Sequence, residues 1–592
     1  MISPDSIRNF CIIAHIDHGK STLCDRFLEL TGQIKRGQSV ERVLDSNPIS
    51  KERGITIKLA PVSMSYNYKH KHYLLNMIDT PGHVDFHYEV SRSLAACEGA
   101  ILVVDATQGI QAQTLAYWQR AREQGLKIVG AVNKIDLPTA QTKTVLSSML
   151  KHFAMGQEDI CLISAKSGEG VEKLLEKVLE KIPSPEKADA LELQALVFDS
   201  FYHPYKGVVV YLRVKQGSLK NKLDKLKFLM SKAVFKGIEI GKFEPQLKKV
   251  DDLGEGEVGY LATGLKDIKL AQVGDTLTAN KEEAMALPGY KKPKPMVYLN
   301  FFPVDVKQFE LLRDALDKLK LNDASLIFSQ VYSEALGKGF RCGFLGLLHA
   351  EIIQERIERE YNLNLVATQP SVVYKLEDQK SEIYSAAELS PGKNTVYEPI
   401  TRATIFTPTE YIGNVFKLCE EKRGQFLNME HFALQVKLEY MLPLSEIIVD
   451  FFDKLKSVTS GYASFDYRLS EYRLLKAVRL DVLIHHQQLP ALSQIVTEDK
   501  AYKIGREMVG SLKRVTPRQM FEFSIQAAIA GKIIASEKIK AFRKDVTAKL
   551  YGGDQTRKDK LLKKQAKGKK RLKKIGKVEL PQEAFMAVLK RG

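Results

Sequence analysis

Cysteine is scarce, with six in 592 residues. Cys11, Cys24, Cys97, Cys161, Cys342 and Cys419 lie far apart, with no C-x-x-C pair and no histidine cluster beside them. That pattern excludes a disulfide framework and a structural zinc site, and it leads us to expect a reducing compartment. No apolar run approaches the roughly 20 residues that a membrane-spanning helix needs. Met1-Ile2-Ser3-Pro4-Asp5 carries no basic stretch followed by an apolar one, so no secretory signal is expected and a cytoplasmic protein is. Negative charge is also in deficit, with 71 Asp and Glu against 89 Lys and Arg, a formal net charge of +18. The excess is local. Residues 538–577 hold 17 Lys and Arg against 3 Asp and Glu, which accounts for most of it. Such a segment favours a polyanion: RNA, DNA or an acidic membrane surface.

The hydrophobic fraction, 44%, is ample for large cores, and the length suggests about four domains. Short apolar runs at 7–15, 73–80, 101–106, 127–133 and 160–165 read as buried strands, with helical patterns at 21–30 and 84–98. Val171, Leu174, Leu175, Val178, Leu179 and Ile182 form the stripe of a final helix. Alternating strands and helices predict an α/β domain with a mainly parallel sheet over residues 1–186. Ile182-Pro183-Ser184-Pro185 reads as a linker. Frequent glycines between short β-branched runs predict a small β-barrel over 187–285. Pro288, Pro293 and Pro295 mark the next boundary. Two later segments, 294–372 and 397–480, each repeat the order β-α-β-β-α-β of a ferredoxin-like fold. The roughly 25 residues from 372 to 396 between these repeats leave no room for another folded domain. Residues 481–592 form a C-terminal region holding the basic segment. There Gly552, Gly553, Gly568 and Gly576 interrupt the lysines, which favours loops over one long helix.

The chemistry is concentrated in the first domain. Ala14-His15-Ile16-Asp17-His18-Gly19-Lys20-Ser21-Thr22 follows a strand and opens a helix, the context of a phosphate-binding loop. The backbone N–H groups of Asp17, His18, Gly19, Lys20, Ser21 and Thr22 can cradle phosphate oxygens. Lys20 supplies a charge for the β- and γ-phosphates, and the Ser21 hydroxyl can ligate Mg²⁺. Asp79-Thr80-Pro81-Gly82 ends another strand. Asp79 there can hold the Mg²⁺ shell through water, and Gly82 lets its N–H approach the γ-phosphate. Asn133-Lys134-Ile135-Asp136 ends a third strand, where the Asp136 carboxylate can accept both donors of guanine that adenine lacks. Ser164-Ala165-Lys166 can place backbone N–H groups near guanine O6. Four such motifs, each at a strand C-terminus where open α/β sheets bind ligands, mark a GTP site. Between them lies Arg53-Gly54-Ile55-Thr56-Ile57, in which Thr56 is expected to ligate Mg²⁺ and the γ-phosphate on a switch loop; otherwise the stretch reads as an edge strand.

The phosphate-binding loop, the Arg53–Ile57 stretch and Asp79-Thr-Pro-Gly-His83 resemble those of translational GTPases. So do Val84-Asp85-Phe86 and Glu89-Val-Ser-Arg-Ser-Leu-Ala-Ala-Cys-Glu-Gly99. Three further stretches resemble one family closely, LepA or elongation factor 4. They are Gly339-Phe-Arg-Cys-Gly-Phe-Leu-Gly-Leu-Leu-His349, Gly461-Tyr-Ala-Ser-Phe-Asp-Tyr467 and Gly568-Lys-Lys-Arg-Leu-Lys-Lys-Ile-Gly-Lys-Val-Glu-Leu-Pro-Gln-Glu-Ala-Phe585. The resemblance implies a P-loop GTPase domain, an EF-Tu-like β-barrel, two ferredoxin-like domains and a family-specific C-terminal domain. It further implies a monomer that binds the ribosome, touching rRNA and tRNA through the basic C-terminal domain. The implied activity is hydrolysis of GTP to remodel tRNA position on stalled or mistranslocated ribosomes by one-codon back-translocation. A ribosome-associated binding or subunit-maturation factor, timed by hydrolysis, is the alternative. Weak peripheral contact with the cytoplasmic face of the cell membrane is a lesser expectation.

By the same resemblance, His83 positions the attacking water. Ile16 and Ile55 form a hydrophobic gate that turns it away until the ribosome engages, and Asp17 helps to bind a monovalent cation. The sequence departs from the family pattern at Ser50-Lys51-Glu52-Arg53, where a more acidic run is common, and at His87, where serine is frequent. Neither departure touches a phosphate or base contact; both bear on activation kinetics.

Overall fold

The computed structural model describes residues 3–35, 43–44, 48–187, 192–220, 225–279, 285–288, 293–333, 336–542 and 555–575, with backbone alone at 491 and 567–575. Strands β1 (Ile7–Ala14), β2 (Ala60–Tyr68), β3 (Lys71–Asp79), β4 (Gly99–Asp105), β5 (Lys127–Asn133) and β6 (Ile160–Leu162) form a six-stranded sheet in the order β2-β3-β1-β4-β5-β6. Every pairing in it is parallel except β2 on β3. Helices α1 (Lys20–Leu30), α2 (Pro48–Arg53), α3 (His87–Ala95), α4 (Ala112–Glu123), α5 (Thr142–Phe153) and α6 (Val171–Lys181) complete the domain. One core holds Phe10, Phe27 and Leu175, the other Leu94, Tyr117 and Val132. All residues of β4 are buried, which is why this strand reads as a continuous apolar run. The helix expected over 84–98 starts as a 3-10 turn, Val84–Phe86, because His83 caps it by accepting the Asp85 N–H. The stretch after Arg53 is not a strand; the edge strand is β2, which begins at Ala60.

The second domain is an antiparallel β-barrel around Val197, Val210, Leu212, Phe228, Leu261 and Leu277. Buried ion pairs fasten it to the first domain. Arg92 donates to Asp199 at 3.0 Å, and Arg213 pairs with Glu98 and donates to the Ala96 carbonyl at 3.0 Å.

Both ferredoxin-like sheets run second-third-first-fourth in strand order. The first comprises Val297–Pro303, Ile327–Ser333, Gly337–Phe344 and Leu365–Ala367, with helices α7 (Phe309–Asn322) and α8 (Leu347–Tyr361). The second comprises Lys393–Thr407, Gln425–His431, Val436–Pro443 and Ser464–Ile484, with α9 (Ile412–Glu421) and α10 (Leu444–Val458). Its last strand has 21 residues, and beyond Leu480 it pairs with Phe523–Ile529. The division expected between 480 and 481 therefore falls inside one strand, and the C-terminal unit shares a sheet with its predecessor. No glycine or proline punctuates 464–484, so nothing local ends the strand there. Helix α11 (Ala501–Val515) packs on that shared sheet around Val482, Met508, Leu512 and Ile525.

The basic segment departs from expectation. Gln555–Ile575 is one helix, α12, that runs through Gly568. A single interior glycine costs about 1 kcal/mol relative to alanine, and the surrounding Lys, Arg, Leu and Gln are strong helix formers. Gly552, Gly553 and Gly576 lie outside the described residues, as does most of the 568–585 motif beyond the helix. All six cysteines are buried and unpaired with one another. Among the described residues no helix is long and apolar enough to cross a membrane.

Candidate active site

The C-terminal ends of β1, β3 and β5, with the turn after β6, converge on one edge of the sheet. After Ala14 the chain turns through Asp17 (φ 61°) and Gly19 (φ 89°) and enters α1 at Lys20. Gly19 is required twice over. Its φ is left-handed, and a Cβ there would collide with the Asn133 side-chain amide. Lys20 is buried, and its ammonium pairs with the Asp79 carboxylate while donating to the Thr56 hydroxyl at 3.2 Å. The Ser21 and Thr56 hydroxyls lie 3.3 Å apart, and Thr56 Oγ1 lies 3.5 Å from Asp79 Oδ2. Four side chains from three separated motifs thus meet at one point. Two hydroxyls and a carboxylate are hard oxygen donors of the type that Mg²⁺ takes, so the set fits that ion. Gly82 runs beside the loop: a Cβ on it would lie 3.6 Å from both the Ala14 carbonyl oxygen and the Ile16 nitrogen. Thr22 is exposed on the first turn of α1, and Asp17 is exposed in the loop. Ile16 and Ile55 are both half-buried, but they are anchored separately, Ile16 N–H to Gln113 Oε1 at 3.4 Å and Ile55 N–H to the Ser50 carbonyl at 3.2 Å.

The base end is held by Asn133. Its Nδ2 donates to the His18 carbonyl at 2.9 Å and its Oδ1 accepts the Ala165 N–H at 2.9 Å, joining the phosphate loop to the last motif. Ile135 N–H donates to the Ile163 carbonyl at 3.3 Å. Lys134 (φ 65°) reaches Asp105 at 2.7 Å. Burial works to raise the pKa of that carboxyl, but Lys134 and both Thr107 donors outweigh it and hold it below the usual range. Asp136 is exposed, as a carboxylate open to a base must be. Of the three amides in Ser164-Ala165-Lys166, those of Ser164 and Ala165 are taken by the Glu169 carbonyl and by Asn133. Among the described hydrogen bonds, that leaves the Lys166 N–H for a ligand. His18 contributes its backbone; its ring is buried edge-on to His15 at 5.1 Å, and burial pushes its pKa down to about 4.

His83 lies where β3 exits. Its Nδ1 accepts the Asp85 N–H at 3.1 Å, so in the neutral ring Nε2 carries the proton. Burial pushes its pKa down and Lys456 adds to that, while Asp85 and Glu351 pull it up. The imidazole is neutral at pH 7.

Sequence reasoning missed a second set of residues, those that hold the switches from other domains. The Asp85 carboxylate accepts the Leu348 and His349 N–H groups at 2.8 and 3.3 Å, capping the N-terminus of α8. A Cβ at Gly346 would strike that carboxylate. From α2, Arg53 pairs with Glu351 and Glu355 at 3.0 and 2.7 Å, and Glu52 pairs with Arg359 at 2.8 Å. Ile49, Phe86 and Ile352 form a small apolar cluster under these pairs. The Ser50–Arg53 departure therefore supplies charges that α8 answers. His87 has a partner too: its Nε2 lies 2.7 Å from Asp466 Oδ1, within the 461–467 stretch, and the Ala112 N–H donates to Ser464 Oγ at 3.0 Å. The signals of this set in the sequence are that 84–86, 339–349 and 461–467 match a family without carrying nucleotide chemistry, and that Ser50–Arg53 and His87 depart from its pattern.

Comparisons agree with this geometry. Residues 5–184 match the elongation factor Tu GTP binding domain, 395–483 the elongation factor G C-terminus, and 484–590 the GTP-binding protein LepA C-terminus. The elongation factor 4 of Acetivibrio thermocellus is 53% identical over 593 residues, covering 99% of this chain and 98% of its own. That of Syntrophomonas wolfei is 50% identical over 592 residues, covering 99% of both chains. That of Prochlorococcus marinus MIT 9515 is 51% identical over 597 residues, covering 100% of this chain and 99% of its own. A crystal structure of a protein from Thermus thermophilus is similar in fold, with a TM-score of 0.58 and 19% identity over 80% of this chain and 97% of that one. Full-length identity at this level, on a chain whose phosphate, metal-donor and base-end residues converge, places the protein in the elongation factor 4 (LepA) family of translational GTPases.

Proposed function

We propose that this GTPase is switched on by the ribosome in the cytoplasm and that its hydrolysis of GTP repositions tRNA on stalled or mistranslocated ribosomes. The observation that carries the reading is the meeting of Lys20, Ser21, Thr56 and Asp79 at one point, with Gly82 against the phosphate-binding loop. Lys20 and the amides of residues 17–22 bind and orient the β- and γ-phosphates. Ser21 and Thr56 would hold Mg²⁺, with Asp79 supporting its waters; the ion supplies charge neutralisation on the phosphates. Lys20 is paired with Asp79 here, so nucleotide entry requires its ammonium to turn toward phosphate. Asp136 and the Lys166 N–H select guanine. His83, neutral and with Nε2 outward of its Asp85 contact, orients the attacking water. Asp17 adds a ligand for a monovalent cation.

The C-terminal domain, through α12 and the flanking lysines, neutralises phosphates of rRNA and tRNA. Each neutralised phosphate releases a counterion, so binding should weaken steeply with salt. The protein acts as a monomer. Slow GTP turnover alone and strong acceleration by ribosomes are expected. His83→Ala should lower the stimulated rate by roughly 10²–10⁴ without changing GTP affinity; an unchanged rate would show that His83 has no such role. Mapping tRNA position on defined post-translocation ribosomes tests the rest. A one-codon backward shift with GTP supports repositioning, and normal binding without a shift supports a maturation or binding role.

A further inference from the structure

Helix α10 belongs to the second ferredoxin-like domain, yet one of its faces reaches His83 of the first domain. Leu444, Ile447, Ile448, Phe451 and Leu455 are buried in its own domain. Phe452 and Lys456, four residues apart, share a different stripe. Phe452 remains 37% exposed, and its ring stands 6.5 Å from that of His83 at 70°. Phe86 also stands 6.2 Å from His83, at 61°. The imidazole therefore meets one aromatic wall from its own domain and one from another. Lys456 Nζ sits 5.0 Å from the Phe452 ring centroid, a cation–π contact that steadies that wall. Among the described residues, the polar contacts of the His83 ring are both with Asp85, and none reaches the Lys20–Thr56 cluster.

Aromatic edge contacts are worth about 0.5–1.5 kcal/mol beyond burial. That is enough to bias a side-chain rotamer, and little enough to be undone by a domain shift. We infer that Phe452, steadied by Lys456, is a positioning residue that parks His83 away from the phosphates until movement of the second ferredoxin-like domain withdraws α10. The inference rests on the proposed role of His83 and gives the expected slow ribosome-free turnover a cause that does not need an Ile16–Ile55 gate. It also makes the catalytic histidine sensitive to a domain that carries no nucleotide contact.

The test is GTP turnover of the full-length protein, with and without ribosomes. Phe452→Ala should raise ribosome-free kcat by about three- to tenfold with KM for GTP unchanged. Phe452→Trp should stay at the wild-type rate, Lys456→Ala should give a smaller rise, and Lys456→Arg should restore the wild-type rate. Adding His83→Ala to Phe452→Ala should abolish the gain, which a general loosening of the fold would not. Phe452→Leu, which keeps apolar bulk without the aromatic edge, should raise kcat by a smaller factor. A wild-type or lowered ribosome-free rate for both Phe452→Ala and Phe452→Leu overturns the inference. If His83→Ala still cripples the stimulated rate in that case, the role of His83 stands. If His83→Ala leaves it untouched, the underlying reading falls first.

Discussion

The two ends of the nucleotide site are built differently. At the base end every hydrogen bond that shapes the site closes within the first domain. Asn133 joins the His18 carbonyl to the Ala165 N–H, and Ile135 joins β5 to the turn after β6. At the γ-phosphate end Thr56 is held within the first domain, but its neighbours are held by other domains: Asp85 by the N-terminus of α8, Arg53 and Glu52 by charges on α8, and His87 by Asp466. The difference separates two tasks. On the proposed reading, choice of nucleotide is a local matter. Sensing of a third phosphate would then bear on residues whose restraints lie 263 to 379 positions away in sequence. Such coupling needs contacts that differ between two states, and on the same reading that part falls to the α8 cap and its ion pairs.

The comparison can be broken at either end. The largest effect is expected at His18, whose ring is buried neutral at the local end. Its folded pKa of about 4 lies below the ordinary 6.5. The unfolded chain therefore binds the proton first, and stability present above pH 6.5 is lost as pH falls toward 4. The lost contribution is about 3 kcal/mol. Denaturant unfolding at pH 7 and pH 4.5 should show wild type losing about 2 kcal/mol more than His18→Gln, and equal losses would contradict the assignment. Asn133→Ala strands two buried partners and should cost about 2–3 kcal/mol, weakening GTP and GDP alike. Calorimetry that found only GTP affected would move Asn133 to the shared end.

At the other end, Gly346→Ala forces its Cβ into the Asp85 carboxylate and should uncap α8 at about 1–2 kcal/mol. GDP affinity should be unchanged while ribosome-stimulated turnover falls; an equal loss of GDP affinity would erase the distinction between the ends. His87→Ser should cost about 1 kcal/mol, loosening the 461–467 stretch as seen by limited proteolysis with nucleotide affinity intact.

What the sequence discloses follows the same division. The phosphate loop, Asp79–Gly82, Asn133–Asp136 and Ser164–Lys166 are short runs whose chemistry and turn geometry are local, so spacing alone puts them on strand ends. The loss of two of three amides in the last motif to Asn133 and Glu169 is a tertiary fact that spacing does not carry. Asp85 reads as one residue in a matched run because its partner is the backbone of Leu348 and His349. The expected boundary at 480 and 481 and the boundary between the two matched C-terminal families at 483 and 484 both fall inside the long strand from Ser464, because a sheet shared by two units needs no punctuation. The basic segment reads as loops when its four glycines are weighted above the good helix formers around them; within α12 only Gly568 falls, and the helix runs through it.

Backbone hydrogen exchange with GDP and with a non-hydrolysable GTP analogue tests the central claim most directly. Protection at residues 346–349 should change together with that at 82–87, while 164–167 stay equally protected in both states. A change confined to 82–87, with the start of α8 indifferent to the third phosphate, would contradict the account.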